Sequence, residues 1–224
     1  MIYITGDTHI PLDISRLSSK RFVQQKTMTA NDYLIICGDF GGIFSGDNEE
    51  KYWLKWLSDK NFTTLFIDGN HENFEILNSF PKVKFNGGNA HKISDKIYHL
   101  MRGEIYEIDG KKIFTLGGAS SHDKNFRKEG KNWWKQELPN EHEYTYAVDN
   151  LNKTDNTVDI IITHCAPTNI QRKIAPTYKT DTLTDFLQCI KSNVNYSKWF
   201  FGHYHVDLEI DEKHIAIYNK IVSV

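Results

Sequence analysis

Few cysteines, little net charge and no long apolar run limit what this chain can be. Its 224 residues include three cysteines, Cys37, Cys165 and Cys189, too few and too scattered for a disulfide framework or a CxxC zinc site. No stretch approaches the roughly 18 uninterrupted apolar residues of a membrane span. The start, MIYITGDTHI, lacks the basic residues and long apolar run of a signal peptide. We therefore expect a cytoplasmic protein with no membrane partner.

The charge balance argues against a polyanionic partner. The chain has 27 basic and 29 acidic residues, and a net charge of -2 provides no broad electrostatic attraction for nucleic acid. Its hydrophobic content of 39% and aromatic content of 13% are enough for an ordinary core. Because no repeat or linker interrupts the chain, we predict one domain over residues 1–224, of unknown oligomeric state.

Short runs of β-branched and aromatic residues recur, and most of them end in a polar loop. They predict buried strands at 2–4, 33–37, 64–67, 160–162 and 199–201. Helical spacing predicts helices at 49–58, 72–80, 141–151 and 182–192. Hairpins are predicted around Asp109-Gly110 and around residues 211–213. This order predicts an α/β fold in which two packed mixed sheets, a β-sandwich, are flanked by helices.

Polar residues follow five of the predicted strands. They are Asp7-Thr8-His9, Gly38-Asp39, Gly69-Asn70-His71-Glu72, His164 and Gly202-His203-Tyr204-His205. Ligand sites in open α/β sheets lie beyond the carboxyl ends of the strands, so we expect these side chains to meet. Imidazole and carboxylate groups bind zinc, manganese or iron, and an aspartate can bridge two ions about 3.5–4 Å apart. Each motif alone also fits a turn or a core histidine, but their combination predicts a two-metal centre.

The series DxH, GD, GNHE, H and GHxH resembles the signature of the calcineurin-like metallophosphoesterases. The resemblance implies an enzyme that hydrolyses phosphodiester or phosphomonoester bonds by attack of a metal-bridging hydroxide. The resemblance assigns Asp7, His9 and His205 to the first metal, Asp39 to the bridge, and Asn70, His164 and His203 to the second. His71 would act on the scissile phosphate without binding metal, and both His71 and Asn70 would contact the substrate. We expect manganese, with iron, zinc or nickel as alternatives.

Two departures from the family pattern narrow the function. Glu72 stands where many members have Asp, and it is interpreted either as a partner of His71 or a metal-binding histidine, or as an acid at a helix N-terminus. The sequence Gly38-Asp39-Phe40-Gly41-Gly42 lacks the Asp-Arg of the Ser/Thr protein phosphatases, and no nuclease-type capping domain is present. A non-catalytic scaffold is a further alternative, which the complete ligand set disfavours.

The segment from Ser120 to Glu137 is the predicted source of substrate specificity. Arg127 suits a bidentate grip on phosphate, unless it pairs with a nearby acid. Trp133 and Trp134 either stack on a nucleobase or pin the loop to the core. We expect a small phosphate-ester substrate, with nucleotides among the candidates. Of the five histidines outside the motifs, only His122 is a candidate for the site.

Overall fold

The secondary structure consists of strands, α-helices and short 3-10 turns, in a computed structural model that describes residues 1–224. The strands are β1 (Ile2–Thr5), β2 (Tyr33–Ile36), β3 (Thr63–Phe66), β4 (Lys82–Phe85), β5 (Gly88–Ser94), β6 (Ile97–Leu100), β7 (Glu104–Ile108), β8 (Lys111–Leu116), β9 (Ile160–Thr163), β10 (Lys198–Phe201), β11 (Leu208–Glu209), β12 (His214–Ala216) and β13 (Ile221–Ser223). The α-helices are α1 (Asn48–Ser58), α2 (Phe74–Ser79), α3 (Glu141–Asn152), α4 (Thr168–Ile174) and α5 (Thr182–Asn193). None of these helices has the length and apolar character needed to cross a membrane.

The strands form two mixed sheets. The first sheet has the order β13-β1-β2-β3-β6-β5-β4, and the second has the order β11-β12-β10-β9-β8-β7. Strands β1, β2, β3 and β6 run parallel in the first sheet, as do β8, β9, β10 and β12 in the second. Antiparallel strands flank both parallel groups. The predicted α/β fold with two mixed sheets and outer helices is confirmed.

Three hydrophobic clusters hold the layers together. Between the sheets, Ile4 and Leu65 of the first sheet share a cluster with Ile160 and Phe200 of the second. Helices α1 and α2 cover the outer face of the first sheet through a second cluster, and α3, α4 and α5 cover the second sheet through a third. Burying one such side chain contributes about 1.5–3 kcal/mol. The clusters therefore fix the edges of the two sheets relative to each other.

Most of the predicted elements are present. Helices α1, α3 and α5 lie within one residue of the predicted bounds, and both predicted hairpins form, as β7–β8 and β11–β12. The β11–β12 hairpin is shorter than predicted. Helix α4 and the antiparallel strands β4 and β5 had no prediction. Strand β4 alternates exposed lysines with half-buried Val83 and Phe85, and this short edge strand has no fully buried face.

Two details of the predicted helices were wrong. Helix α2 begins at Phe74, because the Asn73 side chain caps it by accepting the backbone N–H groups of Glu75 and Ile76. Glu72 therefore lies before the helix and is not its N-terminal acid. In α1, helical spacing predicts that Tyr52, Trp53, Trp56 and Leu57 share one face that packs on the protein, but Tyr52 is exposed.

Candidate metal centre

The polar residues of both sheets meet at one edge of the sandwich. Asp7, Asp39 and Asn70 follow the parallel neighbours β1, β2 and β3, while His164 and His203 follow β9 and β10. Parallel strands place their carboxyl ends at the same edge, and the core between the sheets brings the two edges together. The predicted convergence of the strand ends is present.

Four of these residues have a strained backbone. The φ angles of His9, Asp39, His203 and His205 are 36°, 44°, 67° and 51°, in the left-handed region that side chains rarely adopt. Such conformations cost on the order of 1–3 kcal/mol each and cluster at functional sites. Backbone hydrogen bonds hold them, since the His9 N–H donates to the Asp39 carbonyl (2.9 Å) and the His203 N–H donates to the Asp7 carboxylate (3.0 Å).

A first cluster consists of Asp7, His9 and His205. Its potential ligand atoms all lie within 4.8 Å of one another. The Asp7 carboxylate is fully buried, and its Oδ2 lies 3.2 Å from Nε2 of His205. The His9 ring stands edge-on to the His205 ring at 4.9 Å between centroids. One carboxylate and two imidazoles thus surround a single point.

Asp39 lies between this cluster and a second one. Its Oδ2 is 3.3 Å from Nε2 of His9 and 3.4 Å from Nε2 of His164. Its Oδ1 accepts the backbone N–H of His71 at 2.9 Å. A Cβ at Gly69 would overlap the Asp39 carboxylate, so only glycine fits there. One Asp39 oxygen is therefore held by the protein and the other faces a histidine of each cluster.

The second cluster is formed by Asp7, Asp39 and His164, whose potential ligand atoms also lie within 4.8 Å of one another, with Asn70 and His203 beside them. His164 donates from Nδ1 to the Cys37 carbonyl at 2.8 Å, and its Nε2 is 3.3 Å from Oδ1 of Asn70. The His203 ring lies 5.0 Å from the His164 ring, measured between centroids. Since Nδ1 of His164 is the donor to a carbonyl, Nε2 is the atom available to a metal.

The electrostatics of the two clusters fit a divalent cation. Nε2 of His164 faces the oxygens of Asp39 and Asn70, so these lone-pair atoms need a positive charge between them, either a proton on Nε2 or a metal ion. A cation stabilises this arrangement. Burial alone would lower the pKa of His164, but attraction to Asp39 raises it to about 10. The site therefore favours positive charge, as two buried carboxylates require.

His71 and Arg127 lie beside the clusters. His71 is not among the convergent ligand atoms, and its ring stands edge-on to His9 at 5.8 Å. Arg127 forms a two-point ion pair with Asp123 (2.6 and 2.9 Å), as expected from the alternative in which Arg127 pairs with a nearby acid. Its Nη1 also lies 3.2 Å from Nδ1 of His71, so the guanidinium borders the site as well. Burial, which Arg127 reinforces, lowers the pKa of His71.

Glu72 acts on the backbone of the site. Its Oε1 accepts the N–H of Phe40 at 2.7 Å, directly after Asp39 in the chain. No hydrogen bond joins Glu72 to His71 or to a metal-binding histidine, so that interpretation of Glu72 is wrong too. Burial, and then the charge of Asp39, raise the pKa of Glu72 well above its usual value. Glu72 therefore braces the loop that carries Asp39.

The remaining aromatic candidates divide between core and site. Trp134 is 3% exposed and packs edge-on against Phe44, so it pins the loop and is closed to a nucleobase. His122, the candidate outside the motifs, lies 3.6 Å from the Tyr178 ring and 5.5 Å from the His203 ring, between centroids. Tyr178 had no prediction, because no motif or spacing links it to the histidines.

Comparison with known proteins assigns the family. The family model for calcineurin-like phosphoesterases matches residues 1–207. The chain belongs to the calcineurin-like phosphoesterase family. This membership confirms the resemblance and makes the protein a metal-dependent phosphoesterase. The matched region of this phosphoesterase contains all the residues that the resemblance assigned to metal, from Asp7 to His205. No curated protein matches the chain significantly.

Proposed function

We propose that this phosphoesterase hydrolyses small phosphate esters, diesters or monoesters, at a dinuclear metal centre. In the proposal, two divalent ions, with manganese the expected metal, share Asp39. Asp7, His9 and His205 complete the first position, and the second is completed by the residues Asn70, His164 and His203.

The position of the Asp39 carboxylate carries the proposal. One oxygen lies at nearly equal distances, 3.3 and 3.4 Å, from the Nε2 atoms of His9 and His164, which belong to different clusters. His9 belongs to one group of convergent ligand atoms and His164 to the other, so an oxygen close to both is placed between two ion positions. Two ions about 3.5–4 Å apart with a shared ligand are the arrangement used by two-metal hydrolases.

The chain's own residues supply the rest of the chemistry. When bound, the metals would polarise the phosphoryl oxygens and lower the pKa of a nucleophilic water. His71, held against Asp39 through its backbone N–H, would stabilise the transition state by a hydrogen bond from its ring or donate a proton to the departing oxygen, a contribution typically of about 10²–10⁴-fold. Arg127, which the Asp123 carboxylate orients, would bind a phosphoryl oxygen beside His71.

A groove next to His9 and His71 supports a small substrate. Its volume is about 470 Å³, and its walls include Pro11, Leu12 and Phe44. Neither lysine nor arginine lines it, whereas Asp47, Glu49 and Glu50 do. A polyanionic chain would meet repulsion here, but an uncharged leaving group would not. This supports a small ester over nucleic acid.

The test compares initial rates on a chromogenic phosphate monoester and on its bis-ester. The purified protein is stripped of metal with a chelator and assayed before and after Mn²⁺ is restored. We expect turnover only with metal, and the ratio of the two rates identifies the bond type. Absence of metal-dependent turnover on both esters would refute the proposal.

Two variants serve as controls. Asp39→Asn keeps the size of the side chain and its bond to the His71 N–H but removes the charge, so activity should fall to background. Activity that survives in Asp39→Asn would indicate a contaminating phosphatase. Asp59 is exposed and is the C-cap residue of α1, so Asp59→Asn should retain full activity.

A further inference from the structure

Residues outside the motifs contact both histidines of the first cluster. Oδ2 of Asp13 lies 3.3 Å from Nδ1 of His9 and accepts the Tyr218 hydroxyl at 3.0 Å. Tyr218 in turn stacks on the His205 ring, at 4.7 Å between centroids and 18° between planes. Asp13 and Tyr218 therefore form one continuous support under His9 and His205, although they are separated by 205 positions in the chain.

His205 depends on this support more than the other histidines do. Its side chain is 51% exposed, and its Nδ1 has no hydrogen-bond partner in the protein. A histidine ligand ordinarily donates its second ring nitrogen to a carboxylate or carbonyl, which fixes the ring orientation. Here the Tyr218 ring face takes that role, together with the edge of His9.

Tyr218 is itself held in place. Its backbone N–H donates to Oδ1 of Asp207 at 2.8 Å. The buried Arg16 guanidinium lies 4.9 Å from the Tyr218 ring centroid and donates to the carbonyls of Tyr218 and Asp7. Arg16 thereby joins the third residue of the first cluster, Asp7, to the same support.

The second cluster has separate supports. His164 is oriented by the Cys37 carbonyl, and the Asn70 amide donates to Oγ of Ser121 at 3.2 Å. Neither Asp13 nor Tyr218 has a hydrogen bond or a ring contact with Asn70, His164 or His203. Asp7 has a ligand atom near both clusters, but Asp13 and Tyr218 contact only His9 and His205, so variants at these two positions perturb the first cluster.

We propose that Asp13 and Tyr218 are positioning residues that set the metal affinity of the first site without changing that of the second. The inference rests on the proposed dinuclear function. Loss of an outer hydrogen-bonding partner typically lowers metal affinity 10–100-fold. Because His205 has the Tyr218 ring as its main support, loss of that ring should have an effect at the upper end of this range.

The experiment is a calorimetric Mn²⁺ titration of the metal-free protein and its variants. Reference variants His205→Ala and Asn70→Ala show which binding phase belongs to which site. Tyr218→Leu should weaken the first phase about 10–100-fold, and Asp13→Asn about 10-fold. Tyr218→Phe keeps the ring and loses only the hydroxyl, so it should recover most of the Leu defect. The matched control, Ser121→Ala, should weaken only the second phase.

The outcomes separate this inference from the proposed function. Two binding phases with unchanged affinities in Tyr218→Leu and Asp13→Asn would overturn the inference and leave the dinuclear centre intact. Equal weakening of both phases, with a lower melting temperature of the metal-free variant, would also overturn it, because it would show a general structural role. A wild-type protein that binds fewer than two Mn²⁺ ions would overturn both proposals.

Discussion

Replacing Arg102 by Met tests how much a buried ion pair with Asp68 stabilises the loop that carries His71. Arg102 is buried and donates to Oδ2 of Asp68 from Nε (2.9 Å) and Nη2 (2.6 Å). Asp68 is 1% exposed, and His99 lies 3.1 Å from its other oxygen. Burial alone would raise the pKa of Asp68, but the charge of Arg102 and the His99 contact hold it well below its usual value.

The magnitude follows from the burial of this pair. Breaking a buried ion pair by removing one partner costs about 3–5 kcal/mol, because it leaves an uncompensated charge. A depressed carboxylate pKa stabilises the fold above the unfolded-state value of about 3.9, and this contribution is lost as pH falls through the folded-state value. At pH 7 the free energy of unfolding of the Arg102→Met variant should therefore fall by the full cost of the broken ion pair. This cost is a large part of the roughly 5–15 kcal/mol by which a typical protein is stable.

The assay is urea unfolding of a double-mutant cycle at pH 7. Arg102→Met leaves the charge of the Asp68 carboxylate unpaired, and Asp68→Asn removes that charge. The double variant should therefore be more stable, by about 1–3 kcal/mol, than the two single losses of unfolding free energy added together predict. A loss below about 1 kcal/mol in Arg102→Met, or additive losses, would refute the reasoning. Phosphoesterase activity should fall as well, since Nη2 of Arg102 also donates to the Gln136 carbonyl and ties the Asp68 loop to the segment near Arg127.

Three further predictions concern single positions. Gly202→Ala should reduce metal-dependent kcat/KM by about 100-fold, because its Cβ would overlap the Asp7 carboxylate. Gly110→Ala meets no neighbouring atom but strains a backbone at φ 73°, so it should lower stability and leave kcat/KM unchanged. Burial and a neighbouring histidine lower the pKa of His91 to about 4, so His91 should destabilise the fold as pH falls from about 6.5 towards 4. An unfolding free energy of the wild type that stays constant over this range, or one that falls equally in His91→Gln, would contradict this. Arg127→Lys removes the planar guanidinium, which can donate two hydrogen bonds to a phosphate, and should lower kcat/KM about 10-fold. Metal affinity measured by titration should not change. Full activity would exclude Arg127 from phosphate binding.

Local sequence pattern was enough to predict the fold class and the composition of the site. Continuous runs of β-branched and aromatic residues specify strands that are buried on both faces of a sheet, so β1, β2, β3, β9 and β10 were found from local pattern. Their polar ends are equally local, since Asp7 and Asp39 directly follow apolar runs. Local pattern failed for α4, whose seven residues include only two apolar ones, Ile170 and Ile174, and for β4, a short edge strand with no fully buried face.

The contacts that orient the site residues could not be predicted from local pattern. The link between Asp13 and Tyr218, the position of one Asp39 oxygen between His9 and His164, and the burial of Trp134 join residues far apart in the chain. Such contacts depend on how two sheets pack, and packing is a sum over many small burial energies that no local pattern encodes. The ligand residues of the metal centre lie in short local motifs, whereas the residues that orient those ligands are brought to them by the packing of the whole fold.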